Sequence, residues 1–588
     1  LFAVAAISTL AIARVIYCLV KKAPRLIAEP DAQELKYALP IVAIAALFYL
    51  GLMWLPRVMG APMEVMATHR PVTWMLPIDN VLQENIARVM YAGASPKVTD
   101  FRDWSSSDRP PLEAGVQLFS MPLLCGVFGV PWNVNTQLSG MALQLIWVFG
   151  VWALVRALGC SPRAASQITL CLMPTPLLYI NSIFIWAKLS AAAYAIGATA
   201  ILCLRGKRPL GIAESATAGA LMALAILSHS GIAFYLLPLC GLWLIWPRPI
   251  GRPGWRTVLV MAAVAAPMLI AWTCYQKFGD PPGNHLLKLN FAGAIDSDDR
   301  PLWQTLRAAY GSLTWRQILS NKAANIATLF KGDWPSLFTP FAGDRPHRRV
   351  DNFYFLFRSC GIWLLGLPAL AFLLLRRKFE QRGPLLFLLA SLGGSISLWC
   401  LLMFGAGAQV TVVHQGAYGV PLVLLVLLAF ALRRLHPIAL LIVGLYNLVQ
   451  FLWIYASPAP YPPVLDWLAI AVLVIAAILT LGLLRGTPLV RLRRNNRLGR
   501  PRSPGILFCL LLIIAGNVAA APVGSNGSDS DKPMVPCVAQ GDFWIDGQPP
   551  DLPEPADLAE AHRGGNLVLW GSWCDGNPNR VGMLILGP

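Results

Sequence analysis

The sequence predicts an all-α polytopic membrane protein of about 14 transmembrane helices, followed by a small outer-face C-terminal domain of α/β or mixed type. Two observations carry that prediction. Apolar runs of 18 or more residues recur through most of the chain, and only 13% of its 588 residues are charged against 56% hydrophobic; a soluble domain carries roughly a quarter charged residues. The charges also segregate by loop. Lys21, Lys22, Arg25, Arg156, Arg163, Arg205, Lys207, Arg208, Arg248, Arg252, Arg256, Arg376, Arg377, Lys378, Arg382, Arg433, Arg434, Arg485 and the run from Arg491 to Arg502 fall in alternate short loops. The positive-inside rule places these loops in the cytoplasm.

The carboxylates give independent support, because that rule does not count them. All of the 29 Asp and Glu except Glu29, Asp31, Glu34, Glu214 and Glu380 lie in the opposite set of loops. The net charge of +18 is therefore a topological signal and a source of contact with anionic lipid, not a nucleic-acid footprint.

The expected spans are 1–20, 38–56, 136–157, 165–184, 187–204, 213–229, 231–247, 257–275, 353–375, 384–404, 417–433, 437–455, 465–484 and 505–521. They form one multi-span domain, 1–521, with large outer loops at 57–135 and 276–352, followed by an extracytoplasmic domain, 522–588. The apolar stretch 114–130 is read as interfacial or re-entrant. A full span there would reverse every later loop and break the charge rule. Most of the 12 Cys lie in spans, where they act as small apolar residues; Cys537 and Cys574 lie in the outer tail, where a disulfide is plausible.

The first outer loop is rich in chemistry. It runs Leu76-Pro77-Ile78-Asp79-Asn80, then a helical pattern to Gly93, with Glu84 a little over one turn in. Later comes Asp103-Trp104-Ser105-Ser106-Ser107-Asp108-Arg109-Pro110-Pro111-Leu112. Asp79 suits a helix N-cap as well as a catalytic base. Asp108-Arg109-Pro110-Pro111 suits a stiff turn with a local ion pair as well as a binding element.

Further ionisable residues fall on the same outer side: Lys188 in Trp186-Ala187-Lys188, His229 in Ser228-His229-Ser230-Gly231, His285 and Lys288 after Asp280-Pro281-Pro282-Gly283-Asn284, and His414 in Val413-His414-Gln415-Gly416. Snorkelling accounts for Lys188, helix-end hydrogen bonds for the histidines and a solvated loop for His285 and Lys288; as a set they suit anion binding, because ionisable residues near the bilayer interior mark pathways. No metal-type Cys or His cluster appears, and the acidic groups Asp100/Asp103 and Asp296/Asp298/Asp299 read as solvated loop faces; no cofactor is required and a divalent cation is not favoured. Trp303, Trp315 and Trp334 read as interface-belt residues.

A polar loop after an early span, with a lone Asp and then a basic-Pro-Pro element before an interfacial helix, resembles the GT-C fold membrane glycosyltransferases. These include the protein O-mannosyltransferases, the lipid A aminoarabinose transferases and the bacterial arabinofuranosyltransferases. The resemblance implies a sugar taken from a polyprenyl-phosphate carrier at the outer face of a bacterial cytoplasmic (inner) membrane, for cell-envelope biogenesis. It implies Asp79 as general base and Arg109-Pro110-Pro111 as the basic element. The chain departs from the pattern in having one more span in front, and Asn80 where some members carry a second acid.

The chemistry is consistent with that implication. A sugar phosphodiester has a good leaving group, so it needs a base for the acceptor hydroxyl and cations for the phosphate. The expected substrate-binding set is Asp108, Arg109, Lys188, His229, His285, Lys288 and His414, with Asp79 catalytic. The partners are a polyprenyl-phosphate sugar, an acceptor glycan, lipid or protein, and membrane lipids, without nucleic acid. A transporter or flippase is the competing class, but few charges fall within spans and no repeat is evident. A polysaccharide ligase or polymerase is kept open by the loop 276–352 with His347, Arg348 and Arg349.

Overall fold

A computed structural model describes residues 29–54, 56–58, 81–98, 105–204, 210–246, 254–294, 299–337, 355–405, 418–456, 463–465, 473–480, 567–572 and 581–586. In chain order the helices are α1 (Glu29–Trp54), α2 (Val81–Tyr91), α3 (Leu112–Met121), α4 (Trp132–Gln144), α5 (Trp147–Ala157), α6 (Pro162–Leu172), α7 (Pro176–Phe184), α8 (Ala187–Leu204), α9 (Ile212–Ser228) and α10 (Ala233–Ile245). They continue as α11 (Trp255–Cys274), α12 (His285–Ala292), α13 (Leu302–Gly311), α14 (Trp315–Thr328), α15 (Leu356–Ser359), α16 (Gly366–Leu375), α17 (Arg382–Leu402), α18 (Gly419–Leu435) and α19 (Pro437–Ala456).

Every span expected between 38 and 455 coincides with a helix or a broken helix. Among the described residues, three continuous helical stretches are long and apolar enough to cross a bilayer: Trp132–Ala157, Trp255–Gly279 and Arg382–Leu402. The bent pair α6 and α7 is a fourth when counted as one span. The other expected spans hold shorter apolar helical stretches, such as Lys36–Gly51, Ala187–Cys203 and Pro437–Gln450, so the count of fourteen is larger than the described helices establish. The expected spans 1–20 and 505–521, and most of 465–484, lie outside the described residues.

Helix α18 is apolar all round and buried from Gly419 to Leu432, which makes it the axis of the bundle. Helix α8 is nearly as enclosed and packs on α5, α9 and α18. The α5–α8 approach depends on a missing side chain: a Cβ on Gly150 would lie 2.6 Å from the Ala193 carbonyl oxygen. Such small-residue contacts drive helix association where lipid removes the hydrophobic contrast. Helix α11, by contrast, is barely buried and carries Val258, Leu259 and Ile270 on its exposed surface, as a lipid-facing helix does.

The α6–α7 pair bends by 72° across Met173-Pro174-Thr175, because prolines remove backbone donors. The loosened groups find partners, as they must away from water. Tyr49 Oη donates to the Met173 carbonyl at 3.0 Å, and Trp363 Nε1 donates to Thr175 Oγ1 at 2.9 Å.

The basic end of the bundle is fixed by arginines. Arg156 pairs with Glu34 at 2.5 Å, and Trp152 Nε1 donates to the same carboxylate, tying α5 to α1. Arg434 donates to the carbonyls of Leu158 and Gly159 just beyond the C-terminus of α5, where the helix dipole favours a cation.

Two short antiparallel strand pairs add to the helical architecture. Pro56–Val58 pairs with Pro463–Leu465, joining the segments that follow α1 and α19. Leu567–Ser572 pairs with Val581–Leu586. The rest of the expected C-terminal domain, with Cys537 and Cys574, lies outside the described residues.

Candidate functional site

At the end of the bundle opposite Arg156 and Arg434, the loop before α3 is clasped to the loop after α11. Asp280 Oδ2 accepts hydrogen bonds from Ser106 Oγ at 2.6 Å and from the Ser107 backbone N–H at 3.1 Å. The Ser107 hydroxyl donates to the Asp280 carbonyl. Tyr275 Oη lies 2.6 Å from Ser106 Oγ. Gln276 Nε2 donates to the carbonyls of Ser107 and Gly283, each at 3.0 Å.

Asp108 completes the clasp. Its Oδ2 accepts from the Ser105 N–H and its Oδ1 from the His285 N–H, both at 3.0 Å. A carboxylate at the first turn of α12 also meets the favourable end of that helix dipole. The expected local role of Asp108 as a partner of Arg109 is therefore enlarged: both carboxylate oxygens bind backbone N–H groups, one of them far along the chain. Burial pushes the Asp108 carboxyl above its usual range, opposed by those N–H groups and by the nearby His285 and Arg109.

Arg109 follows directly, held by Pro110 and Pro111, which restrict the backbone into α3. Arg109 and Lys188 both act electrostatically on His229, so these three residues share one neighbourhood. Loss of hydration first, then Lys188, then Arg109, drive the His229 pKa well below its ordinary value. His229 Nδ1 accepts from the Gly231 N–H at 3.1 Å, which leaves Nε2 as the N–H donor of a neutral ring. Sequence reasoning placed His229 among the cations; burial first, and the two cations beside it second, favour its neutral form.

Lys188 is buried, with Nζ 3.2 Å from the centroid of the Trp186 ring and 6.0 Å from that of Tyr418. Burial in a hairpin between helices sets it apart from a lysine that snorkels to solvent. Helix α4 pins that hairpin: Gln137 Nε2 donates to the Ile183 carbonyl at 2.6 Å, and Gln144 Oε1 accepts from the Ser190 N–H at 2.9 Å. The two described non-glycine residues with left-handed backbone both adjoin Lys188: Ile185 at φ 54° and Tyr418 at φ 65°. Strain of this kind persists where the surroundings impose it, and it clusters at functional sites.

An apolar groove of about 300 Å³ opens beside these groups, lined by Pro111, Leu112, Gly115, Val116, Phe119 and Leu227. Pro111 is two residues after Arg109, and Leu227 two before His229. The groove lies on the outward face of α3, whose inward face buries Glu113 and Gln117. Polar residues inward and apolar residues outward are the arrangement of a helix that meets lipid.

His285 and Lys288 are both buried one turn apart on α12, so they lie on one helical face. Asp79 and His414 lie outside the described residues, as do Asp100, Asp103, Asp296 and Asp298. The structure thus brings together Asp108, Arg109, His285, Lys188 and His229, and places Lys288 on α12 next to His285. The clasp residues Ser106, Ser107, Tyr275 and Gln276 were not singled out from sequence, nor was Glu113. A serine run reads locally as a turn, and nothing local names a partner some 170 residues away. Among the described residues, no group of three or more His, Cys, Asp or Glu is placed to hold a metal ion.

No protein-family model and no curated protein matches this sequence. Among solved structures, the chain is similar to ArnT from Cupriavidus metallidurans bound to undecaprenyl phosphate, with a TM-score of 0.31 and 16% identity over 64% of this chain and 79% of that one. It is also similar to the Archaeoglobus fulgidus oligosaccharyltransferase in complex with Zn and sulfate, with a TM-score of 0.39 and 16% identity over 73% of this chain and 54% of that one. A third similarity is to the archaeal oligosaccharyltransferase AglB from Archaeoglobus fulgidus in complex with an inhibitory peptide and a dolichol-phosphate, with a TM-score of 0.35 and 13% identity. The chain spans 77% of its own length and 56% of that structure's in the match.

Proposed function

We propose that the protein transfers a sugar from a polyprenyl-phosphate donor to an acceptor hydroxyl at the outer face of a bacterial cytoplasmic membrane. One observation carries this reading: half-buried Arg109 lies two residues before Pro111 of an apolar groove, and His229, two residues after its Leu227, feels both Arg109 and buried Lys188. Cations next to an apolar channel suit an amphiphile with an anionic head and a hydrocarbon tail. A polyprenyl phosphate has both parts.

In this mechanism the tail lies along Leu112, Val116 and Phe119 while Arg109 and Lys188 hold the phosphate. Their charge counts for more in a site of low dielectric, and it opposes the negative charge that grows as the sugar–phosphate bond breaks. Neutral His229 donates its Nε2–H to the same group. The phosphate leaves without protonation, so the one proton to be moved is that of the acceptor hydroxyl. Asp79 takes that proton as general base while the hydroxyl attacks the anomeric carbon. Attack opposite the phosphate inverts the anomeric centre. The Asp108–Asp280 clasp fixes the loop that carries Arg109.

The test is binding of undecaprenyl phosphate to the purified protein in detergent, with undecaprenol as the comparison. Saturable binding of the phosphate and much weaker binding of the alcohol is expected. Equal binding of the two, or none of either, overturns the head-group assignment and the reading with it.

A further inference from the structure

The outer region between α11 and α15 folds two helices, α13 and α14, that are inverted relative to a water-soluble surface. On α14, Trp315, Leu319 and Ile326 recur at i, i+4 and i+11, which stacks them in one stripe, and Phe330 follows just past the helix end. These four side chains, with Trp303 on α13, are 51–79% exposed.

The buried side of α14 is polar. Asn325 Nδ2 donates to the carbonyls of Cys400 and Met403, both at 3.1 Å. Thr328 is fully buried beside it. Lys322, at the border of the stripe, donates to Tyr310 Oη at 3.0 Å and to the Met403 carbonyl. The inner face of α14 thus satisfies the free carbonyls at the C-terminus of α17, which a helix end needs. A third sector, Arg316, Gln317 and Ser320, is exposed and polar.

A helix in water hides its apolar stripe. Here the stripe faces out, and three sectors divide the helix among protein, water and an apolar phase. With 14 residues of mixed composition, α14 is too short to span a bilayer. Helix α14 is held to the end of the spanning helix α17 by Asn325 and Lys322, whose partners Cys400 and Met403 flank Leu401 and Leu402, exposed apolar residues of that helix. Tryptophan is enriched where membrane meets water, and exposed Arg316 and Lys331 are placed to meet lipid phosphates.

We infer that α14, with Trp303 of α13, lies in the outer leaflet as an interfacial helix, its stripe among phospholipid chains. This collar holds the second outer region at a fixed depth. The inference stands apart from the transfer chemistry proposed above, since it concerns lipid contact alone.

The test uses the full chain in nanodiscs of phosphatidylcholine and phosphatidylglycerol. A benzophenone amino acid replaces Leu319 or Ile326, and replaces Gln317 as the water-facing comparison. Irradiation followed by intact-mass measurement is expected to show one phospholipid adduct at 319 and 326, several-fold above that at 317. All three positions are exposed, and an unchanged unfolding temperature checks that packing survives. Lipid adducts no greater than at 317, or cross-linking of two copies of the chain in their place, overturns the inference.

Discussion

Asp108 and His285 stand 177 residues apart in sequence, yet Asp108 Oδ1 accepts the His285 backbone N–H at 3.0 Å. That bond and the Asp280 contacts beside it make one site from two loops far apart in the chain. Arg109 follows Asp108 directly, so its position depends on a partner in the other loop.

The clasp is expected to support both stability and turnover. Asp280→Ala removes the acceptor for Ser106 Oγ and the Ser107 N–H. Hydrogen bonds to a charged group contribute about 1.5–3 kcal/mol each, so the variant should unfold at a clearly lower temperature. Asp280→Asn keeps one acceptor oxygen and should lose less. Turnover should fall in the same order, measured in each variant below its own unfolding temperature. Equal unfolding temperatures for Asp280→Ala and wild type would remove the clasp from the account.

Lys188 is assigned to the phosphate rather than to packing. Lys188→Ala should weaken undecaprenyl phosphate binding by about 10- to 100-fold, the equivalent of one lost charge-assisted contact. Binding of undecaprenol should stay where it was. Unchanged phosphate affinity in a folded variant would refute the assignment.

His229 supplies a pH dependence whose sign follows from its neutral state. Its folded pKa lies well below the ordinary 6.5, so between the two values the unfolded chain binds more protons than the folded one. Stability from this group is therefore full above the unfolded pKa and is lost as pH falls through that window. Unfolding temperature measured from pH 7.5 to 5 should drop more steeply in wild type than in His229→Gln. Parallel profiles would mean that the fold does not lower the His229 pKa.

The fold was legible wherever a signal is local. Apolar runs located the helices between 38 and 455, and the loop charges separated the end with Arg156 and Arg434 from the end with Arg109 and Lys188. The proline cluster Met173-Pro174-Thr175-Pro176 carried the α6–α7 break, although the expected span 165–184 ran straight through it. The stretch 114–130 was legible as apolar and interfacial or re-entrant, but not which face of α3 turns inward; that depends on whether water or lipid lies outside.

The site was legible as residue types on one side of the membrane, and not as contacts. Lys188 was separable from a snorkelling lysine only once Trp186 and Tyr418 were seen around it; His229 makes the expected helix-end hydrogen bond, and what the sequence did not show is its nearness to Lys188 and Arg109. The clasp from Ser106 and Ser107 to Asp280 is set by tertiary packing, which leaves no local pattern in either loop.

The most direct measurement is release of polyprenyl phosphate from labelled polyprenyl-phosphate sugars, in the presence of cell-envelope lipid and glycan extract, by wild type and Asp79→Asn side by side. The account predicts release with sugar transfer by wild type, and none by Asp79→Asn, although that variant still binds undecaprenyl phosphate and unfolds at the same temperature. Release at equal rates by both proteins, or by neither across the panel, would contradict it.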